Sequence, residues 1–380
     1  MDFSLSSEQK QIREMVAEFV DEEIKPRASE IDENDEFPRD LIEEMGELGL
    51  MGIPFPEEYG GAGLDYHSYA IGLAEISRGS GGLGTVVAAH TSLAGNMLYE
   101  FGSEDQKETY LTPLAEGRDV GAFALSEAGA GSDVPAMETT AERDGEEYVI
   151  DGGKLWISNG SVADTVVLFA KTDPEAGNRG ISSFVVRPEE DEGFLVEGTE
   201  HKLGDKGCPT AELRFSEMRI PESRRLGEEG EGFVQALKTL NGGRITIAAR
   251  GVGLAQAALD DAREYANERE QFGQPIGEFQ TIKHKLADMD TKLSAARLLM
   301  HQAADLKIRD EEFIKEAAQA KLYASEISRE VANEAIQIHG GYGYTKDFDV
   351  ERYYRDAKLN EIYEGTSEIL RNTIGDKVLD

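Results

Sequence analysis

The sequence holds one cysteine, Cys208, in 380 residues. A lone thiol cannot close an intrachain disulfide or build a Cys-based zinc site, so a reducing compartment fits. Positive charge is scarce as well: 39 Lys and Arg stand against 75 Asp and Glu, a formal net charge of -36. Phosphate-backbone binding depends on clustered cations, which excludes a general nucleic-acid surface. Such a chain repels itself when compact, and the repulsion fades at about 1 M salt, where the Debye length is roughly 3 Å. A halophilic, salt-rich setting is the expectation. Long apolar runs are also lacking. Gly79 to Tyr99 is free of charge and nominally long enough for a membrane span, but it opens GSGGLG and carries His90, Thr91, Ser92 and Asn96. A buried helix of a large soluble protein explains it better. The start, MDFSLSSEQK, lacks the basic and apolar parts of a signal peptide. A soluble, cytoplasmic protein with no membrane partner is expected.

Familiar cofactor motifs are missing too. There is no Walker-type GKS or GKT and no HExxH, and histidines 67, 90, 201, 284, 301 and 339 show no ligand spacing, so no metal is expected. ITIAARGVGLAQA offers Gly251 and Gly253 to a dinucleotide turn, but Gln256 takes the third glycine position and the context is helical. Small residues at a close helix crossing are the better reading.

What is present divides into three. Up to residue 119 the pattern is helical: Ile12, Met15, Val16 and Phe19 share one face, and Ser103 with Gln106 has the form of a capping box. From 120 to 225, YVIDGGKLWISNG, DTVVLFAKTD, GISSFVVRPEE and AELRFSEMRIPE are short, β-branched and aromatic, and separated by turn residues. An antiparallel sandwich or barrel is expected there. From 226 to 380 the helical period returns in segments of bundle length, as in FQTIKHKLADMDTKLSAARLLMHQAADLKIRD. The fold class is α+β: N-terminal helices, a middle antiparallel β-domain and a C-terminal four-helix bundle.

Several stretches suit chemistry. FALSEAGAGSD brings a short strand into a turn whose glycines expose backbone N–H groups, with Ser126 and Ser132 as hydroxyl partners, a fit for an anionic or carbonyl-rich ligand. KLWISNG places the only tryptophan, Trp156, beside Ser158; such a ring is either core or the wall of a flat cofactor. EREQFGQPIGEFQ sets Arg269 and Gln280 about a Phe272–Pro275 turn, and an arginine fork suits pyrophosphate. In IYEGTSEILRN, Thr366 or Ser367 can cap the following helix and Glu368 suits its first turn, yet Glu364 does neither. A carboxylate aimed at a ligand, with Gly365 admitting that ligand to the backbone, accounts for it.

FALSEAGAGSD, KLWISNG, LNGGR, REQFGQPIGEFQ, QIHGGYGYT and IYEGTSEI stand in the order and approximate spacing of the acyl-CoA dehydrogenase family, which the chain resembles over essentially its whole length. The resemblance implies FAD-dependent oxidation of an acyl-CoA thioester to the trans-2-enoyl-CoA. Glu364 would remove the α-proton while hydride leaves the β-carbon for flavin N5. Its own N–H and a ribityl hydroxyl of FAD would bind the thioester oxygen. Phe123, Leu125, Ser126, Gly131 and Ser132 match the flavin-side loop, with Ser132 also near CoA. Trp156, Ile157 and Ser158 match the segment beside the isoalloxazine ring. Arg269, Phe272 and Gln280, with Gln337, Ile338, His339, Gly340 and Gly341, match segments reaching FAD from a neighbouring subunit. Thr366, Ser367 and Glu368 match a further dinucleotide contact. Asn241 and Arg244 resemble the CoA-contacting pair, although many members have Asp where Asn241 stands, and Tyr363 and Gly365 complete the substrate side.

Some relatives draw their base from the LNGGR helix, where this chain has Gly243, which cannot serve. The resemblance further implies a homotetramer built as a dimer of dimers, with electron-transferring flavoprotein as acceptor. Gly243 and LNGGRI look like short-chain and short-branched members. Glutaryl-type relatives carry an arginine after GSGGLG, and none stands between Arg78 and Glu100 here. Two alternatives on the same fold are an oxidase, normally longer, and a DNA-binding alkylation-response protein, normally equipped with a basic domain.

Overall fold

The structure is a computed structural model that describes residues 4–379. Its helical opening comprises α1 (Ser7–Phe19), α2 (Ala28–Asn34), α3 (Arg39–Glu47), α4 (Tyr66–Gly79), α5 (Gly81–Val87), α6 (Asn96–Phe101) and two single turns, α7 (Glu104–Gln106) and α8 (Thr112–Ala115). Ser103 and Gln106 form the capping box at α7. The uncharged stretch is a buried helix, with α5 joined to α6 through a π-helical segment, Ala88–Gly95, buried throughout. No described helix is long and apolar enough to cross a membrane. Within that segment His90 meets the Leu114 carbonyl at 3.0 Å through Nε2 and accepts the Gly121 N–H through Nδ1 at 2.9 Å. One ring thus ties the helices to the first strand, and burial pulls its pKa down to about 4.

Strands β1 (Gly121–Ala124), β2 (Thr140–Asp144), β3 (Glu147–Ser158), β4 (Thr165–Lys171), β5 (Ile181–Val186), β6 (Phe194–Thr199), β7 (Thr210–Pro221) and β8 (Arg225–Leu226) form one sheet, ordered β6-β7-β3-β2-β4-β5-β8, with β1 beside β4. The pairings are antiparallel except that β4 runs parallel to β1 and meets β2 in parallel at Thr140–Lys171. The β2–β3 hairpin lies between β1 and β4 in the chain, a crossover long enough to bring them in side by side in the same direction. Along β4 the period-2 alternation is explicit: Val167 and Phe169 face the helices, while Val166, Leu168 and Ala170 face the second apolar layer with Tyr148, Phe184 and Phe215.

The chain then enters α9 (Gly232–Glu268), a small hairpin of β9 (Glu270–Gln271) and β10 (Gln274–Pro275), α10 (Gln280–Ile308), α11 (Ile314–His339), α12 (Val350–Leu359) and α13 (Ser367–Leu379). Helices α9, α10 and α11 pack on one another, α12 lies on both α9 and α11, and α13 lies on α11. Helix α4 leans on α9 and α10, so Val16, Leu41 and Tyr69 share one core with Leu254, Leu293 and Val331. The two helical regions are welded, and the GVG stretch explains how. A Cβ on Gly251 would stand 2.8 Å from the Ala324 carbonyl oxygen, and one on Gly253 would stand 2.1 Å from that of Ala74. These glycines serve close crossings of α9 with α11 and α4.

Candidate active site

Between α12 and α13 the chain makes a tight connection. The Thr366 hydroxyl accepts the Ile369 N–H at 3.3 Å and caps α13, while the Ser367 N–H returns to the Glu361 carbonyl at 3.0 Å. Glu364 and Gly365 inside this turn have φ of 51° and 97°. A left-handed conformation is ordinary for glycine and strained for glutamate. The Glu364 Oε2 is buried and has no hydrogen-bond partner among the described residues. Burial raises the Glu364 pKa to about 7, against the pull of Lys321 and Arg244.

Gly243, in the middle of α9, lies against that carboxylate: a Cβ there would come within 2.3 Å of Glu364 Oε2 and 3.2 Å of Leu93. The two places where a base is expected in the resembling family therefore converge on one point in space. Only a glycine on α9 leaves room for the carboxylate. Arg244, next along, is buried and donates to Asn241 Oδ1 at 2.7 Å. Tyr66 donates to the Gly242 carbonyl at 2.9 Å. Glu364, Gly365, Asn241 and Arg244 thus share one site. The Tyr363 ring lies beneath the Arg250 guanidinium, 5.9 Å from its centroid, and its buried hydroxyl is pushed up to about 12.

On the sheet, the end of β1 and the middle of β3 are joined. The Leu155 N–H donates to the Ser126 carbonyl at 2.9 Å, and Lys154, fully buried, reaches the Leu125 carbonyl at 3.1 Å and Glu127 at 2.7 Å. Between Lys154 and Ile157 the pairing with β7 shifts register, and Trp156 at φ 60° turns its ring outward, 55% exposed. A strand tryptophan is thereby kept out of the core. Ser126 is half-buried, Ser158 likewise, and Gly131 and Ser132 are exposed. Three other residues expected near the flavin turn their side chains inward. Ile157 belongs to the inner layer of the sheet, Phe123 packs edge-on against Phe169 at 4.9 Å, and Leu125 is buried beside it. Only their main chains remain to meet a ligand.

Arg269, Phe272, Gln280 and Gln337 are exposed, and Phe272, at 95%, is among the barest side chains of the molecule. Arg269 sits 5.6 Å from the centroid of the Tyr342 ring, bringing the hairpin to the loop after α11. Gly340 and Gly341 open onto free space, whereas Ile338 is buried and His339 stacks on Tyr265 at 4.2 Å. The side chains of Ile338 and His339 therefore serve the core. Ser367 is buried with an unpartnered Oγ, and Glu368 is exposed in the first turn of α13. Sequence reasoning missed three features. Lys154 ties the two flavin-side motifs, Lys321 lies against the Glu364 turn, and His67 meets His301 across α4 and α10 with ring centroids 4.3 Å apart. None of the three carries a clear sequence signal: each lysine reads as a solvated charge, and the histidines are far apart in the chain.

A carboxylate shielded from water and left without a partner is what removal of a proton from carbon requires, and the frame around it is that of a flavin-dependent oxidoreductase acting on a CH–CH bond. The chain belongs to the acyl-CoA dehydrogenase family: the family models for its N-terminal, middle and C-terminal domains match residues 6–118, 122–218 and 230–379. It is 47% identical over 378 residues, the whole of both chains, to the short-chain specific acyl-CoA dehydrogenase of Clostridium acetobutylicum. The butyryl-CoA dehydrogenase structure from Megasphaera elsdenii superposes with a TM-score of 0.98 at 40% identity over the full length of both. A chain from the electron transferring flavoprotein structure of Acidaminococcus fermentans matches with the same TM-score, 0.98, at 45% identity, again over the full length of both. FAD is the cofactor of the family. The outward Trp156 ring and the open main chain at Gly131, Gly340 and Gly341 fit a flat ring system and a pyrophosphate.

Proposed function

We propose that this chain oxidises short acyl-CoA thioesters to trans-2-enoyl-CoA, with Glu364 taking the α-proton. The observation that carries the reading is the buried, unpaired Oε2 of Glu364 packed over Gly243. A carboxylate at its ordinary value of 4.5 is too weak a base for carbon; burial raises this one to about 7 and so strengthens it. In the left-handed turn at Glu364–Gly365, the backbone N–H of Glu364 would bind the thioester oxygen and stabilise the developing enolate. When bound, FAD supplies the acceptor for the hydride that leaves the β-carbon. Trp156 and Ser158, with the main chain of the Phe123–Ser132 loop, would hold its ring, and Thr366 and Glu368 would meet the dinucleotide.

Arg269 follows Arg244 by about 25 helical residues, a rise of roughly 37 Å. That separation, with the exposure of Phe272, Gln280 and Gln337, supports Arg269 and these residues serving the FAD site of a second copy. A homo-oligomer, a tetramer in keeping with the family, follows. Electron-transferring flavoprotein is the proposed acceptor, in line with the Acidaminococcus match. The test is anaerobic titration of the flavoprotein with butyryl-, isobutyryl-, isovaleryl- and octanoyl-CoA. Bleaching of the flavin absorbance by the short thioesters, and none in Glu364→Gln, is expected. A flavin left oxidised by every thioester would refute the reading.

A further inference from the structure

Helix α11 carries a charge where none is expected. Lys321 lies on its buried stripe with Ala317, Ala324 and Ser328, and the side chain has no exposure. A buried ammonium needs partners to hold it there. Its Nζ donates to the carbonyl oxygens of Tyr363 at 2.8 Å and Gly365 at 2.6 Å, one on each side of Glu364. Its hydrogen bonds go to carbonyls, while Glu364 Oε2 has no partner among the described residues. The lysine therefore lends the carboxylate its field without occupying it. A direct ion pair would stabilise the ionised base equally well but would tie up the lone pairs that must accept a proton.

The electrical surroundings fit this division of labour. Burial pulls the Lys321 ammonium down to about 7; Glu364 favours its charge, Arg244 on α9 opposes it, and Glu361 favours it. Glu364 faces Lys321 and Arg244, and also Tyr66 and Tyr69 on α4 and its neighbour Tyr363. The tyrosines are held neutral by burial, and Lys321 and Arg244 oppose the desolvation of the carboxylate. We propose that Lys321 is a positioning residue for the base, clamping the Tyr363–Gly365 turn in its left-handed form and keeping Glu364 ionised yet unpaired. The proposal rests on Glu364 being the base.

Two variants separate the two roles. Lys321→Gln keeps N–H donors for the carbonyls and loses the charge, whereas Lys321→Met loses both. Each is compared with wild type in the pH profile of kcat/KM, in thermal midpoint, and in an infrared titration of the Glu364 carboxyl with Glu364→Gln as blank. In Lys321→Gln the acid limb and the carboxyl titration should both move up by about one unit. In Lys321→Met the same shift should come with about a tenfold or larger loss of kcat on the high-pH plateau, as the turn is released. Variants that lose thermal stability but keep the wild-type acid limb and carboxyl titration would overturn the proposal and leave Lys321 merely structural. The wild type offers a check needing no lysine variant: its Glu364 carboxyl should titrate near 7. A value above about 8, where buried glutamates without a countercharge titrate, would equally overturn it. Should Glu364→Gln turn over normally, the reading of Glu364 as base fails instead, and the two failures are distinct.

Discussion

At the scale of single residues, Glu364 as the proposed base would control both chemistry and pH response. Its pKa stands at about 7 against an ordinary 4.5, so kcat/KM should climb with pH through about 7 as the base ionises. Stability moves the opposite way. The folded state holds this proton more tightly than the unfolded chain does, so the contribution is complete below 4.5 and is lost as pH rises to about 7. Glu364→Gln should remove that slope from a pH series of thermal midpoints, and turnover should fall by a factor on the order of 10²–10⁴. Gly243→Ala makes a separate prediction. Its Cβ would press on Oε2 from 2.3 Å, and kcat should drop by about 10²-fold from a displaced carboxylate with little change in flavin content. Glu364 was legible in the sequence because it did no capping work in a turn where its neighbours did. Lys321 was not, because one lysine among alanines on a long helix reads as a solvated face until α9 and the α12–α13 turn are packed over it.

At the scale of elements, legibility followed burial. β4 and β5 are buried on both faces and β3 and β7 on one, and their β-branched and aromatic content made those strands readable. β2 (TAERD) and the mostly exposed β6 were not, since pairing with β3 and β7 rather than apolar content defines them. The parallel entry of β1 was hidden for the same reason, as direction is set by the crossover. His90 provides a test of how the π-helical segment is tied to β1. Its folded pKa of about 4 lies below the ordinary 6.5, so the unfolded chain binds that proton more readily and stability is lost as pH falls from 6.5 toward 4. His90→Leu leaves the Leu114 carbonyl and Gly121 N–H unpaired and should cost about 2–4 kcal/mol by denaturant unfolding. The β9–β10 hairpin predicts a different phenotype. Phe272→Ser, at a side chain 95% exposed in the protomer, should leave secondary structure intact while loosening both FAD and the assembly, read by flavin retention and light scattering.

At the scale of the whole molecule, the acidic balance dominates. Ion pairs such as Arg224 with Asp191 and Arg355 with Asp32 match one cation to one anion each and leave the net -36 untouched. Raising salt screens the repulsion more than it weakens these partly buried pairs, so the thermal midpoint should rise up to about 1 M salt. A flat or falling series would remove the salt-rich setting from consideration. The same scale gives meaning to the contact between Gly243 and Glu364. Two sites far apart in the chain compete for one small volume, and each tolerates only what the other leaves free. A lineage that tried to hand the proton-accepting role from the turn to the long helix could not do so by single steps: a glutamate at 243 alone would collide with the existing one, and a glycine at 364 alone would leave no base at all. The fold thus isolates two workable genotypes from each other, and only a paired change crosses between them.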